Sequence, residues 1–318
     1  MALFLTEAEV LELLSMDSAL ACVEASFVAQ ARKTAVNRPR ERILLPHVSL
    51  HYMAAALPES QRLGMKIYTV TREGLRFLVL LFDSETGALL ALIQADHLGR
   101  IRTGAASGIA TKYLSLPEAS RVGLLGTGRQ ARTQLEAVAR VRKLRGVKAF
   151  SRHQDRLVTF CHEMQELLGV QVDPAASPEE VVKFGEIVIT ATSAGSPVLH
   201  GQWLRPGSHI NAIGANMAER RELDDSAVAM AGLIAVDSLE QSREESGDLI
   251  QGLDHLGRGW EEVIELHSVV ARQHPGRTSR EQITLFKSHG IALWDVAVAD
   301  YVYQRAGETG RGKKLEID

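Results

Sequence analysis

The sequence predicts a mixed α/β protein of two domains, and three observations carry that expectation. Its 318 residues exceed what one hydrophobic core usually fills, and with 45% of them hydrophobic a large core can be built. Short apolar segments separated by turn signals occupy residues 43–93, the pattern of an antiparallel meander. From Arg121 onward, strand and helix patterns alternate instead, and such alternation builds a doubly wound parallel sheet.

Taken in order, Thr6-Glu-Ala-Glu9 reads as a capping box before a first helix, and Asp17-Ser18 as the cap of a second that carries Leu20, Val23, Phe27 and Ala31. After the Arg-rich connection Asn37–Arg42 come five expected strands: Ile43 to Leu45, Leu50 to Leu57, Gly64 to Val70, Leu75 to Phe82 and Ala88 to Ile93. Asp96 is expected to cap a helix to about Leu114, in which Gly104-Ala-Ala-Ser-Gly108 leaves one side nearly bare. Strands at Arg121, Val147, Val170, Ile187, His209 and Leu233 follow, with helices between them, one of them capped by Ser177. Past Asp237 the strand pattern is lost, and Gln282 to Gln304 reads as a strand-poor return into an amphipathic helix with Leu293, Val296, Ala297 and Tyr301. The tail Gly307 to Lys314 is polar and is expected to be loose.

The stretch that organises the chain is Val122-Gly-Leu-Leu-Gly-Thr-Gly-Arg-Gln-Ala131, an apolar strand running into a glycine turn and a helix. Gly126 would allow the tight turn, Gly128 the approach of a pyrophosphate to the backbone, and Ala131 close packing of the helix on its strand. The turn Gly126, Thr127, Gly128, Arg129, Gln130 and Ala131 is therefore the expected dinucleotide site of a Rossmann-type doubly wound parallel sheet, with the helix N-terminus facing the anion. About 20 residues on, where an acid normally meets the ribose hydroxyl of NAD, stand Ser151 and Arg152. A hydroxyl and a guanidinium suit a 2′-phosphate, so NADP(H) is favoured over NAD(H), against the plainer reading of Arg152 as a solvated charge beside Asp155 and Arg156.

Three cations are further candidates. Lys66 interrupts the apolar run Gly64–Val70, where a buried charge needs a partner or an anionic ligand, although strand alternation could also point it to water. Arg102 precedes the small-residue face of its helix, and Arg42 stands among the equally charged Arg38 and Arg40.

Composition limits the partners. A net charge of −3 from 36 basic and 39 acidic residues gives no reason to expect nucleic acid or a membrane surface, so the expected partner is a small molecule. Two cysteines, Cys22 and Cys161, lack metal or redox spacing and read as reduced thiols, which fits the cytoplasm; no metal site is expected. The first basic residue is Arg32, so the start lacks the charged region of a signal peptide, and the longest apolar run, Phe77 to Phe82, is too short to span a bilayer.

Several stretches, in order along nearly the whole chain, resemble the ornithine cyclodeaminase/mu-crystallin family. They are Met65-Lys66, Arg102-Thr-Gly-Ala-Ala-Ser107, Gly123 to Gln134, His209 to Asn216 with Arg221-Glu-Leu-Asp224, Val236-Asp-Ser238, Glu245 to Leu249 and Ile283 to Ser288. The resemblance implies a homodimer in which 1–115 plus 289–318 form a substrate-binding and dimerisation domain of α+β type, with the NAD(P)-binding sheet, 116–288, inserted between them. It also implies interconversion of an amino acid and its imine. By position, Arg42, Lys66 and Arg102 would hold the substrate carboxylate, and Thr192, Arg220 and Ser288 would lie at the cofactor. Where cyclodeaminases carry an acid/base aspartate, this chain has Asn216, whose amide has no proton to exchange in the working range. The expected activity is therefore NADPH-dependent reduction of a small imino acid, with Lys66 and Asn216 the catalytic candidates. Lys66 is assigned to either the proton or the carboxylate. A dehydrogenase or cyclodeaminase, and a non-catalytic NADPH-dependent ligand-binding protein, are the alternatives.

Overall fold

A computed structural model describes residues 2–316. The chain divides into two compact units, one running to Ala105 and resuming at Gly290, the other Ala106–His289.

The first unit opens with β1 (Ala2–Leu5), α1 (Glu7–Leu13) and α2 (Met16–Ala31). The expected Thr6–Glu9 capping box is present. The second helix begins earlier than Asp17-Ser18 suggested: Ser15 is its cap, closed reciprocally by Ser18, because a serine three residues on satisfies the same orphan amides. There follow β2 (Val36–Asn37), β3 (Glu41–Leu44), β4 (Val48–Leu57), β5 (Arg62–Thr71), β6 (Gly74–Asp83), β7 (Leu89–Gln94) and α3 (Asp96–Leu114). Strands β3 to β7 are the expected meander, each antiparallel to the next. Asp96 is the first residue of α3 rather than its cap; the Glu7 carboxylate accepts the amides of Asp96, at 3.1 Å, and His97. The division between the units falls inside α3, after Ala105.

The second unit contains β8 (Arg121–Leu125), α4 (Arg129–Val141), β9 (Gly146–Phe150), α5 (Gln154–Leu168), β10 (Val172–Pro174), α6 (Pro178–Phe184), β11 (Ile187–Thr190), β12 (His209–Ala212), α7 (Asp225–Met230) and β13 (Ala231–Val236). It continues with α8 (Leu239–Glu245), α9 (Gly247–Leu256), β14 (Val263–Glu265), α10 (Leu266–Val270) and β15 (Ile283–Lys287). All eight strands are parallel, in the order β10-β9-β8-β11-β12-β15-β13-β14. The sheet reverses direction of growth at β8, as in doubly wound folds, and separate apolar clusters pack against it. The expected loss of strands past Asp237 is corrected: β15 is a fully buried interior strand paired with both β12 and β13. Its run of five ends in a lysine, which hid it.

The chain then returns to the first unit as α11 (Ala292–Thr309) and β16 (Lys313–Leu315). Helix α11 lies on β4, β5 and α2, with Trp294 meeting Phe27 edge-on at 5.4 Å. Gly64 permits that approach, since a Cβ there would stand 2.8 Å from Val296. The tail is not loose over its described length: Gly310 closes α11 with φ 66°, and β16 pairs antiparallel with β1, which in turn runs parallel to β7.

Candidate functional site

In the second unit, the turn after β8 is shaped by Gly126. Its φ of 97° suits glycine, and a Cβ would lie 2.4 Å from the Ala191 carbonyl oxygen. Gly128 is different in kind: a Cβ there would meet nothing within 4 Å, so nothing in the protein requires it to be bare. It caps α4 without a side-chain hydrogen bond, leaving a helix N-terminus open on its exposed side, and Ala131 is fully buried beneath it. Open space over an uncapped helix start fits a pyrophosphate. Thr127 and Gln130 flank the turn half-buried and Arg129 is exposed. Ser151 follows β9, half-buried, its hydroxyl accepting the His153 amide at 3.4 Å. Arg152 beside it is exposed and forms no ion pair among the described residues.

Two of the other expected cofactor residues, Thr192 and Ser288, are held by carboxylates. Thr192 donates its amide and its hydroxyl to Glu222 Oε1, each at 2.7 Å. Ser288 is buried and donates its hydroxyl to Asp237 at 2.9 Å, while the His289 amide reaches the same oxygen at 2.8 Å. Asn216 is half-buried after Ala215, and Arg220 is exposed in the segment leading to Glu222. Sequence reasoning gave Glu222, Asp248 and Lys287 no role, although all three lie in the stretches that carried the family resemblance. Asp248 and Lys287 form an ion pair of 2.8 Å with both side chains fully buried. Lys66 interrupts its apolar run whereas Lys287 closes one, a weaker form of the same signal.

In the first unit, Lys66 on β5 and Arg102 on α3 converge on one atom. Lys66 Nζ and Arg102 Nε each donate to Asp295 Oδ1 at 2.9 Å, and Asp295 on α11 is fully buried. Gly99 makes room, since a Cβ there would stand 2.8 Å from Lys66 Nζ. Arg40, passed over in sequence for Arg42, is only 5% exposed and donates Nη2 to the Gly290 carbonyl at 3.2 Å. Arg42 is half-buried on β3 opposite His51 of β4. His51 stacks on Tyr68 at 4.5 Å, and burial, aided by the charges of Arg42 and Arg40, pulls it down to about 4, so it is neutral.

The cluster thus sets Lys66 and Arg102 on the Asp295 carboxylate, with the Arg40 charge near enough to act on Lys66. Burial, and then the Arg102 charge, pull Lys66 from its ordinary 10.5 down to about 8, against the opposing pull of Asp295. Arg102 Nη1, a donor, and Asp295 Oδ2, an acceptor, are buried without a hydrogen-bond partner. Such groups are costly unless something completes them.

Among the described residues, no group of three or more His, Cys, Asp or Glu is placed to hold a metal, and no helix is long and apolar enough to cross a membrane. Cys22 and Cys161 are free thiols, both raised to about 11 by burial.

A parallel sheet with a glycine turn open to a phosphate, in a chain that also buries a net-cationic cluster, has the parts of a nicotinamide-dependent oxidoreductase, and the relatives of this chain are of that class. The chain belongs to the ornithine cyclodeaminase/mu-crystallin family, whose sequence profile matches residues 1–310. It is 35% identical over 288 residues to a Δ1-pyrroline-2-carboxylate reductase of Bacillus cereus, covering 87% of this chain and 88% of that protein. The structure of the Thermococcus litoralis Δ1-pyrroline-2-carboxylate reductase in complex with NADH and L-proline superposes with a TM-score of 0.95 at 34% identity, over 98% of this chain and 100% of that one. An archaeal alanine dehydrogenase dimer with bound NAD gives a TM-score of 0.94 at 34% identity, over 100% of this chain and 99% of that one.

Proposed function

We propose that this protein is an NADPH-dependent reductase of small imino acids, of the Δ1-pyrroline-2-carboxylate, Δ1-piperideine-2-carboxylate or related ketimine class, giving L-amino acids. The observation that carries the reading is the buried cluster, in which two cations, Lys66 and Arg102, meet one carboxylate, with Arg40 buried at the Gly290 carbonyl, and a guanidinium donor of Arg102 has no acceptor. An imino acid brings an anionic carboxylate for the cations and a nitrogen beside it. The named activities of the Bacillus and Thermococcus relatives support the same substrate class.

The turn Gly126–Ala131 would hold the dinucleotide, with Ser151 and Arg152 at its ribose, and a bound nicotinamide supplies the hydride. The protein's own share is positioning and charge. Arg102, with Arg40 and Arg42, fixes the carboxylate. Lys66, poised near 8, is protonated at neutral pH yet able to release its proton, which supports its role as donor to the imine nitrogen. Asn216 can orient a nitrogen or a water by hydrogen bonds but offers no base for ammonia removal. We assign substrate binding and dimerisation to 1–115 plus 289–318 and dinucleotide binding to 116–288. The run Ile43, Leu44 and Leu45, exposed by 50%, 71% and 60%, suits a homodimer contact.

NADPH oxidation followed with cyclic imino acids, with 2-keto acids plus ammonia or methylamine, and NADP reduction with amino acids, tests the reading. Turnover confined to keto acids with ammonia would make it an amino-acid dehydrogenase, and binding without turnover a carrier.

A further inference from the structure

The Glu222 carboxylate is fully buried and accepts five hydrogen bonds: from Thr190 Oγ1 at 2.9 Å, from the Thr192 amide and hydroxyl at 2.7 Å each, and from the amides of Gly214 at 2.7 Å and Ala215 at 3.3 Å. Thr190 is the last residue of β11, and the other donors belong to two different loops, one leaving β11 and one leaving β12. Loops at the C-terminal ends of parallel strands have no ladder to hold them, and they carry the ligand contacts of such sheets. Here the backbone holds only the first residue of each loop, Ala191 to the Leu125 carbonyl at 2.8 Å and Ile213 to the Thr190 carbonyl at 3.0 Å, and one side chain ties the residues beyond. The loops are brought so close that a Cβ on Gly214 would stand 2.3 Å from the Thr192 carbonyl oxygen and 2.4 Å from Glu222 Oε1.

Glu222 is itself rigidly mounted. Its amide donates to Asp248 Oδ1 at 2.7 Å, and its carbonyl accepts the amides of Val198 and Leu199 at 2.8 and 3.0 Å. Asp248 pairs with Lys287 at 2.8 Å, and Lys287 donates to the Ala215 carbonyl at 2.6 Å, so the loop before Asn216 is gripped through both its N–H and its C=O groups. A buried carboxylate is an expensive way merely to fill space, because its desolvation must be offset by every one of these bonds.

We propose that Glu222 is a positioning residue for cofactor chemistry: it locks the loops 191–194 and 213–216 so that Thr192 and Asn216 meet the nicotinamide end of the dinucleotide. The assignment of those two residues to that end rests on the function proposed above. Glutamine at this position replaces one acceptor oxygen with a donor, so at least one loop loses its anchor while shape is kept.

The test is Glu222→Gln in the full-length protein, with three readouts. Amide hydrogen exchange without any ligand should accelerate in peptides covering 190–194 and 213–217. Affinity for NADPH should fall about tenfold, the loss of one charge-assisted hydrogen bond, while affinity for 2′-phospho-ADP-ribose, which lacks the nicotinamide, stays nearly unchanged. With Δ1-pyrroline-2-carboxylate, kcat should fall on the order of 100-fold for loops displaced by about an ångström, with KM little altered. Unaltered exchange, or equal weakening of NADPH and the fragment, overturns the proposal in favour of general support of the fold. If Glu222→Gln does not fold, Thr190→Val removes a single donor, and the same split in smaller measure is expected; its absence counts equally against the proposal. A wild-type protein that reduces no imine defeats the functional reading alone, since the exchange and binding comparisons still decide the role of Glu222.

Discussion

Replacing Asp295 with asparagine removes the anion on which Lys66 and Arg102 converge. Both cations donate to Asp295 Oδ1 at 2.9 Å, with side chains 4% exposed against 0% for the aspartate, so water cannot take its place without opening the packing of α11. Breaking a buried pair by removing one partner typically costs about 3–5 kcal/mol. Part of that is recovered because Lys66, already near 8, loses the group that raises it and so gives up its proton at neutral pH, a tenfold change in proton affinity being worth about 1.4 kcal/mol. A net loss of about 3 kcal/mol is expected, which for 318 residues unfolding together lowers Tm by roughly 4–5 °C. Urea and thermal denaturation at pH 7 measure it. Acetate, an anion without an amine, should raise the Tm of Asp295→Asn more than that of the unmutated protein, because it binds only the folded cluster that lacks its own anion. Stability within about 0.5 kcal/mol of the unmutated protein, the usual range of a surface change, would show that the cluster does not depend on this carboxylate.

Lys66 predicts a pH dependence of definite sign. It titrates near 8 when folded and near 10.5 when unfolded, so between those values the unfolded chain binds more protons and stability rises with pH. Relative to Lys66→Met, the unmutated protein should gain up to roughly 3 kcal/mol across that window in urea titrations, and imine turnover should decline as pH rises through about 8; a parallel response of the two proteins would place Lys66 in water. Gly126→Ala puts a Cβ 2.4 Å from the Ala191 carbonyl at φ 97°, and dinucleotide binding by calorimetry should be lost well before substrate-carboxylate binding. Arg152→Ala should weaken NADPH by about 1.5–3 kcal/mol, the value of a charge-assisted phosphate contact, and leave NADH nearly unchanged; equal affinities in the unmutated protein would remove the preference for NADP(H).

What the sequence made legible was whatever is local. The glycine turn, the meander and the Thr6 and Ser177 caps are each written within a few residues and appear as expected. Strands β1, β15 and β16 were not, because three to five residues carry little periodicity and their identity comes from partners far along the chain. The site followed the same division. Lys66 and Arg102 stood out as cations in apolar or small-residue settings, but their common partner Asp295 looks like any helix acid until α11 lies on β4 and β5. Arg40 and Arg42 are two residues apart on an extended stretch, and only the fold shows Arg40 as the buried one. Glu222 lies within the local motif Arg221-Glu-Leu-Asp224, yet its five donors come from positions up to 32 residues away.

Reducing an imine and releasing ammonia are the two activities that the residue at position 216 separates. One preparation should be given Δ1-pyrroline-2-carboxylate with NADPH and, separately, L-ornithine or L-lysine with catalytic NAD or NADP. Steady NADPH oxidation in the first assay, with proline formed and no ammonia in the second, is the predicted result. Robust ammonia release from either diamino acid would contradict it, since a base other than Asn216 would then be at work and the protein would be a cyclodeaminase.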